Sequence, residues 1–385
     1  MSRFPVSKSR PLFAMRVAFA CVCSLLLLPA STFAKSSGSA ECKASGPPGQ
    51  SEAGGPSELM TPLEYDGEHW LVGLDRAKMP KHIRMWSSSG RSMELPAAPT
   101  SFSPKAWFGR GRAVYGLGTS RSMADGKTNI VVVRWSMDGR RPGVLRLWSP
   151  SGKAEGLTGA VYDETLIVGW SDAGDGKARW MVGSANLELQ KVGDEVQMGT
   201  SSSPIAGHVM NDGKGFVSLW IADGTARVAR FGIKGPDASK TEELKGAGSL
   251  QPTAVAQCGS NLFALTGSKD DEARLLLLKA DGPKELTKFS TVLNVSEMPL
   301  RCTGDAAVVG HRVWNDKVGS VVFWISAVDA AGGVRARRLK DLKGDKDDIQ
   351  MPTLIGSGPG LSAWWAQKNG GNTEVYTRPV GCSTN

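Results

Sequence analysis

Chemistry in this chain has to come from few reactive groups: 4 histidines and 6 cysteines among 385 residues, with 37 carboxylates. A metal site on a loop needs ligands at short, defined spacing. His69, His82, His208 and His311 lie far apart in the chain and form no such set. A calcium loop needs alternating acids around a glycine. The acid clusters Asp172/Asp175, Asp270-Asp271-Glu272 and Asp345/Asp347/Asp348 lack that pattern and read as solvated turns. Glycoside hydrolysis needs two facing carboxyl groups. Asp66, Glu68, Asp163 and Glu164 qualify by type alone. There is no nucleophile elbow, phosphate loop, dinucleotide fingerprint or Cys-x-x-Cys-His, the short motifs that would bring such chemistry with them. The sequence therefore predicts no catalytic residue, no metal ligand and no cofactor.

The first 34 residues read as an export signal to be cleaved after Ala34. Arg3, Lys8, Arg10 and Arg16 form a basic start, and the largely apolar run from Val17 to Leu28 follows. Twelve residues are too few to span a bilayer, which takes about 20. No further membrane segment is expected, and the protein is expected in the periplasm or outside the cell. Removing this signal takes 4 basic residues and no acidic ones, leaving 42 against 37, a formal charge of +5 rather than +9. The remaining basic residues are scattered, and the densest run, Arg335 to Lys340, is followed by four aspartates. A nucleic-acid groove needs a one-sided basic stripe, so nucleic acid is not an expected partner. Residues 35–58 are Gly-, Ser- and Pro-rich with little to bury and are expected to form a flexible linker.

What remains must be a frame made of repeated strands. Short apolar runs ending in an aromatic recur, each followed by a polar turn and a second alternating run. Leu166-Ile-Val-Gly-Trp170 with Ala178-Arg-Trp-Met-Val182 is one copy, and Ile130 to Trp135 with Val144 to Trp148 another. The first runs end at residues 74, 135, 170, 220, 266, 324 and 365. One hairpin cannot bury its own apolar face, and stacked units bury a continuous core. A unit of about 48 residues has room for four short strands, the size of a β-propeller blade. A third pattern just upstream, as in Pro252-Thr-Ala-Val-Ala-Gln-Cys258 and Pro299-Leu-Arg-Cys302, reads as the innermost strand; Arg112 to Gly118 reads the same way. The expected fold is all-β, a propeller of seven four-stranded blades over residues 59–385, with six or eight as alternatives.

In this rhythm the chain resembles the secreted bacterial β-propeller repeat proteins. The resemblance covers residues 59 to 382. The Trp-Asp pairs of WD40 repeats and the Asp-box of sialidases are missing, and the double glycines of kelch repeats do not recur from unit to unit. The resemblance implies a fold and no activity.

Within the repeat, Trp135, Trp170, Trp220, Trp324 and Trp365 share one place, and Trp86, Trp148, Trp180 and Phe231 another. One large ring per unit is what packing between twisted sheets requires. Trp70, Trp107 and Trp314 fall outside the register and are the better candidates for exposed contacts. Cys21 and Cys23 leave with the signal, and the four remaining cysteines suit disulfides in an exported chain. Cys258 and Cys302 hold related places in successive units, so they are expected to pair. Cys42 and Cys382 flank the array, and a bond between them would tie the ring shut. The expected function is noncatalytic: an exported monomer presenting a propeller surface to a protein or glycan ligand. The rival is a secreted carbohydrate-active hydrolase or lyase with its site in the central funnel.

Overall fold

The structure, a computed structural model, describes residues 41–44, 49–50, 58–65, 67–75, 82–99, 101–110, 112–136, 142–187, 192–267, 272–291, 298–315, 320–338, 353–356, 360–369 and 372–383. All of them belong to one compact unit, Gly38–Asn385. The expected signal, residues 1–34, lies outside the described residues.

Two short strands come first, β1 (Glu41–Ala44) and β2 (Gly49–Gln50). Both fall inside the stretch whose composition reads as linker. Blade 1 follows as β3 (Glu58–Tyr65), β4 (Glu68–Asp75), β5 (His82–Ser87) and β6 (Ser92–Leu95). Blade 2 is β7 (Phe102–Arg110), β8 (Ala113–Arg121), β9 (Thr128–Ser136) and β10 (Gly143–Trp148). Blade 3 is β11 (Lys153–Tyr162), β12 (Thr165–Gly174), β13 (Lys177–Asn186) and β14 (Val192–Ser201). Blade 4 is β15 (Ala206–Asn211), β16 (Phe216–Ala222), β17 (Thr225–Phe231) and β18 (Thr241–Leu244). Blade 5 is β19 (Pro252–Cys258), β20 (Asn261–Gly267), β21 (Glu272–Lys279) and β22 (Gly282–Ser290). Blade 6 is β23 (Leu300–Thr303), β24 (Ala306–Asn315), β25 (Ser320–Val328) and β26 (Val334–Arg338). Blade 7 holds β27 (Thr353–Ile355), β28 (Ser362–Asn369) and β29 (Asn372–Ser383), and β1 is its fourth strand.

Each blade is a plain antiparallel meander. The ring is visible in who touches whom. The first strand of every blade contacts the first strand of the next, and β27 of blade 7 contacts β3 of blade 1. Seven apolar clusters fill the seven wedges between blades; Leu71 and Trp86 of blade 1 meet Ile355 and Trp364 of blade 7 in the one that closes the circle. Each first strand is hydrogen-bonded on one side only, and the closed ring turns these short edges inward, where another chain does not pair with them. The N-terminal strand β1 runs antiparallel to the C-terminal β29, with Cys42 directly across from Cys382, and Cys382 is disulfide-bonded. The two ends of the chain thus share one blade.

Second strands lie between neighbouring blades and are covered on both faces, so they read as continuous apolar runs. Residues Leu166 to Asp172 of β12 are all buried, whereas the outermost strand β14 is largely open to solvent. Glycine makes room for the rings. A Cβ on Gly207 of blade 4 would stand 2.5 Å from the Trp180 ring of blade 3, and one on Gly183 of blade 3 would stand 2.4 Å from Trp148 of blade 2.

The strand register corrects two details of the sequence reading. In blades 1, 3, 4, 5 and 7 the recurring hairpin is the second and third strand, but in blades 2 and 6 the runs ending at Trp135 and Trp324 are third strands. The segment Arg112 to Gly118 is therefore not an innermost strand but the second strand of blade 2. With the shift removed, second strands end at residues 75, 121, 174, 222, 267, 315 and 369, at even steps of 45 to 54 residues. Trp314 lies near the end of the second strand β24, paired with Val321, and not at the place of Trp170, Trp220 and Trp365. Its side chain lies outside the described residues.

Candidate functional site: the axial channel

The first strands of blades 1 to 6 line one channel of about 1300 Å³ near the ends where they finish, and blade 7 reaches it just after its first strand. Leu63, Arg110, Tyr162, Asn211, Gln257 and Arg301 are the contributions of blades 1 to 6, and Gly356, just past β27, is that of blade 7. This volume exceeds the roughly 300–1,000 Å³ of ordinary small-ligand pockets. The mouth is rimmed by the turns from first to second strands, which carry Asp163, Glu164 and Lys214.

Charges at the mouth fall into two kinds. Arg110 of blade 2 bridges to blade 3: its Nη2 lies 3.3 Å from Asp163 Oδ1 and 2.8 Å from Glu164 Oε1, and its Nε donates to the same Glu164 oxygen at 2.9 Å. Asp163 is held in the turn with a positive φ of 53°. Glu68, in the equivalent turn of blade 1, accepts from the Ser89 backbone at 2.9 Å and pairs with Arg91, whose guanidinium covers the Trp70 ring at 5.3 Å. Burial works to raise the Glu68 carboxyl, but hydrogen bonds from Ser89, Arg91 and Ser87 outweigh it and hold its pKa at about 2. Each of these carboxylates is paired with a protein cation, while the second Glu164 oxygen, Oε2, is buried with no partner among the described residues.

Arg301 is the other kind. It is half-buried in the channel wall, and its Nη1 donates to the Leu300 carbonyl at 2.8 Å. No carboxylate pairs with it among the described residues, and burial pushes its pKa below the usual arginine value. Lys214 at the rim is exposed and likewise carries no ion pair among the described residues. Gln257 stands one blade away from Arg301. Its Nε2 donates to the Gly259 carbonyl at 2.9 Å, while its Oε1 is buried with no partner.

A disulfide fixes these two strands. Cys258 at the end of β19 and Cys302 on β23 are bonded, with their Cα atoms 5.3 Å apart. Each cysteine follows one of the two polar residues directly, and Cys302 itself lines the channel. The pairing expected from the places of these cysteines in successive units is the one observed.

The other candidates from the sequence are dispersed. His69 belongs to blade 1, His208 to blade 4 and His311 to blade 6; His82 opens β5, and its side chain lies outside the described residues. Burial lowers the pKa of His208 and takes that of His311 down to about 4. No group of three His, Cys, Asp or Glu side chains comes together as a metal site among the described residues. Asp172 accepts from the Ser151 backbone and hydroxyl and from the Gly152 backbone, at 2.9–3.0 Å. It pins the crossover from blade 2 into blade 3. Asp175 sits in the next turn with φ 53°. Glu272 pairs with Arg274 and Lys288. Asp66, Asp270, Asp271, Asp345, Asp347 and Asp348 lie outside the described residues. Trp70 and Trp107, expected as exposed contacts, are buried at 2% and 3% exposure, because both fill the wedge between blades 1 and 2. Trp107 still lines the channel, and its indole nitrogen has no partner.

Sequence reasoning missed Arg110, Lys214, Gln257 and Arg301. One signal pointed to two of them: Gln257 and Arg301 each precede the cysteine of the first-strand pattern.

No family model matches this chain, and no curated protein does. Among solved structures it is similar to the polysaccharide lyase Uly1, with a TM-score of 0.50 and 9% identity over 84% of this chain and 90% of that one. It is also similar to a chain of the mitotic checkpoint complex, at TM-score 0.47 and 12% identity over 95% and 99%. Trypanosoma rangeli sialidase in complex with the inhibitor DANA aligns at TM-score 0.43 and 12% identity, over 76% of this chain and 57% of that one. At such identities the likeness speaks for fold alone. Fold and channel together define a seven-bladed β-propeller.

Proposed function

We propose that this protein is an exported, noncatalytic binding protein whose propeller presents its channel mouth and rim to a protein or glycan of the cell envelope or exterior. The observation that carries this reading is the use made of the acids at the mouth. A general acid or nucleophile must be free to meet the substrate, yet Asp163 and Glu164 are both bound by Arg110 across two blades, and Glu68 is bound by Arg91 and Ser89. They lock the frame. The disulfide suits an oxidising compartment, and no helix among the described residues is long and apolar enough to cross a membrane. A rigid ring with loops at its mouth is a good platform for recognition.

The test pairs a glycan and protein array with a hydrolase and lyase panel, using protein purified from the exported fraction. Saturable binding with every bound ligand recovered intact is the expected result. Turnover of any carbohydrate would replace this reading with the rival, a secreted carbohydrate-active hydrolase or lyase. N-terminal sequencing of the same preparation is expected to start at Lys35, and an intact Met1 would contradict export through the first 34 residues.

A further inference from the structure

The channel is charged in a lopsided way. Among its described lining residues are three cations, Arg110, Lys214 and Arg301, and one carboxylate, Asp163. Arg110 is satisfied by Asp163 and Glu164. Arg301 and Lys214 have no carboxylate partner among the described residues, one in the wall and one at the rim. A guanidinium kept half-buried without a counter-ion loses hydration that no protein carboxylate restores, and its planar fork matches a carboxylate with two parallel hydrogen bonds. The neighbouring Gln257 offers the opposite group. Its Oε1 is buried and accepts nothing among the described residues; because Gln257 itself lines the channel, a turn of its amide toward the channel would let a ligand hydroxyl supply the missing donor.

The disulfide gives these two residues a fixed relation. Cys302 Sγ lies 3.3 Å from the Gln257 carbonyl, and Cys258 Sγ lies 3.9 Å from the Arg301 carbonyl, so both backbones flank the bond. A cation and an acceptor held on two crosslinked strands form a preorganised pair, and preorganisation lowers the entropy lost on binding.

We infer that the channel wall at Arg301 and Gln257 is a subsite for an acidic sugar, the carboxylate lying on Arg301 and a hydroxyl donating to Gln257, with Lys214 drawing the anion toward the mouth. This rests on the binding role proposed above and narrows its ligand.

Calorimetry on the oxidised protein tests this with three probes: a short oligogalacturonate, its methyl ester of the same shape without charge, and inorganic phosphate as competitor. The acid is expected to bind about 10- to 100-fold more tightly than the ester, and its affinity to fall with added salt. Arg301→Gln is expected to erase the difference between acid and ester, and Lys214→Gln to weaken acid binding by less. Equal binding of acid and ester, phosphate competing as well as the acid, or no binding of either sugar would each overturn the subsite. The ester comparison uses the unaltered protein, so it holds even if Arg301→Gln does not fold. Shortened oligogalacturonate in the cell would instead overturn the noncatalytic reading and leave the subsite standing.

Discussion

The wedge between blades 3 and 4 and the wedge between blades 5 and 6 fill similar space with different chemistry. In the first, Trp180, Phe216, Trp220 and Phe231 supply the bulk, and Trp180 Nε1 reaches across to donate to Ser218 Oγ at 2.9 Å. In the second, Ala256, Ala307, Met298 and Leu300 leave the strands with smaller side chains, and a covalent bond joins them. The Phe289 ring of blade 5 meets His311 of blade 6 with centroids 4.9 Å apart, and His311 Nε2 contacts Ser326 Oγ at 3.0 Å. Ring packing needs only burial. A disulfide and a buried imidazole depend on redox state and pH. The wedge that flanks the proposed subsite is thus the one whose cohesion answers to the surroundings.

The largest effect that separates the two wedges is expected from Trp180→Ala. Loss of the ring leaves a cavity and an unpaired Ser218, together about 5 kcal/mol. Chemical denaturation should show it equally with and without reductant; a reductant-dependent loss would break the contrast. Next comes the disulfide. Removing it with Cys258→Ser and Cys302→Ser frees a loop with a sequence separation of 44, worth about 4 kcal/mol on chain-entropy grounds. The double variant's melting point should no longer respond to reductant in the way the parent's does, and its oligogalacturonate affinity should fall because Arg301 and Gln257 are no longer held together. Unchanged affinity would separate the bond from the site.

The smallest of the three concerns pH. His311 has its folded pKa taken down to about 4 from 6.5 by burial, against an opposing contact with the Ser290 backbone. A depressed histidine is neutral in the folded protein while the unfolded chain still takes up a proton, so its contribution is complete above pH 6.5 and is lost as pH falls toward 4. The size is about 3 kcal/mol. His311→Gln should flatten the stability profile between pH 6.5 and 4 relative to the parent. Parallel profiles would show that this wedge does not sense pH through His311.

How much of this was legible in the sequence differs by strand. Second strands such as Leu166 to Trp170 announce themselves, since burial on both faces demands an unbroken apolar run. Blade 2 misleads for the same reason. Its third strand is buried from Ile130 to Val133, while its second strand carries Gly116 and Gly118, which make way for the rings of Trp107, Trp135 and Phe102. The third strand therefore looks like the landmark, and the blade is read one strand late. Strand β1 was hidden because an outermost strand buries little, and Glu-Cys-Lys-Ala looks like the linker around it. The Cys258–Cys302 pair could be read from its place in the repeat. The same pattern places Arg301 before its cysteine, but neither Lys214 nor the unpaired state of Arg301 could be read, because the channel is assembled from seven segments distant in sequence, and an unpaired cation is defined by what fails to lie beside it in space.

Peptide mapping of the unreduced protein tests the ring most directly. One crosslinked pair joining Cys258 to Cys302 is expected, and a second joining Cys42 to Cys382, across the register that makes β1 the last strand of blade 7. A Cys42–Cys258 crosslink would place the chain's start beside blade 5 and contradict closure at blade 7.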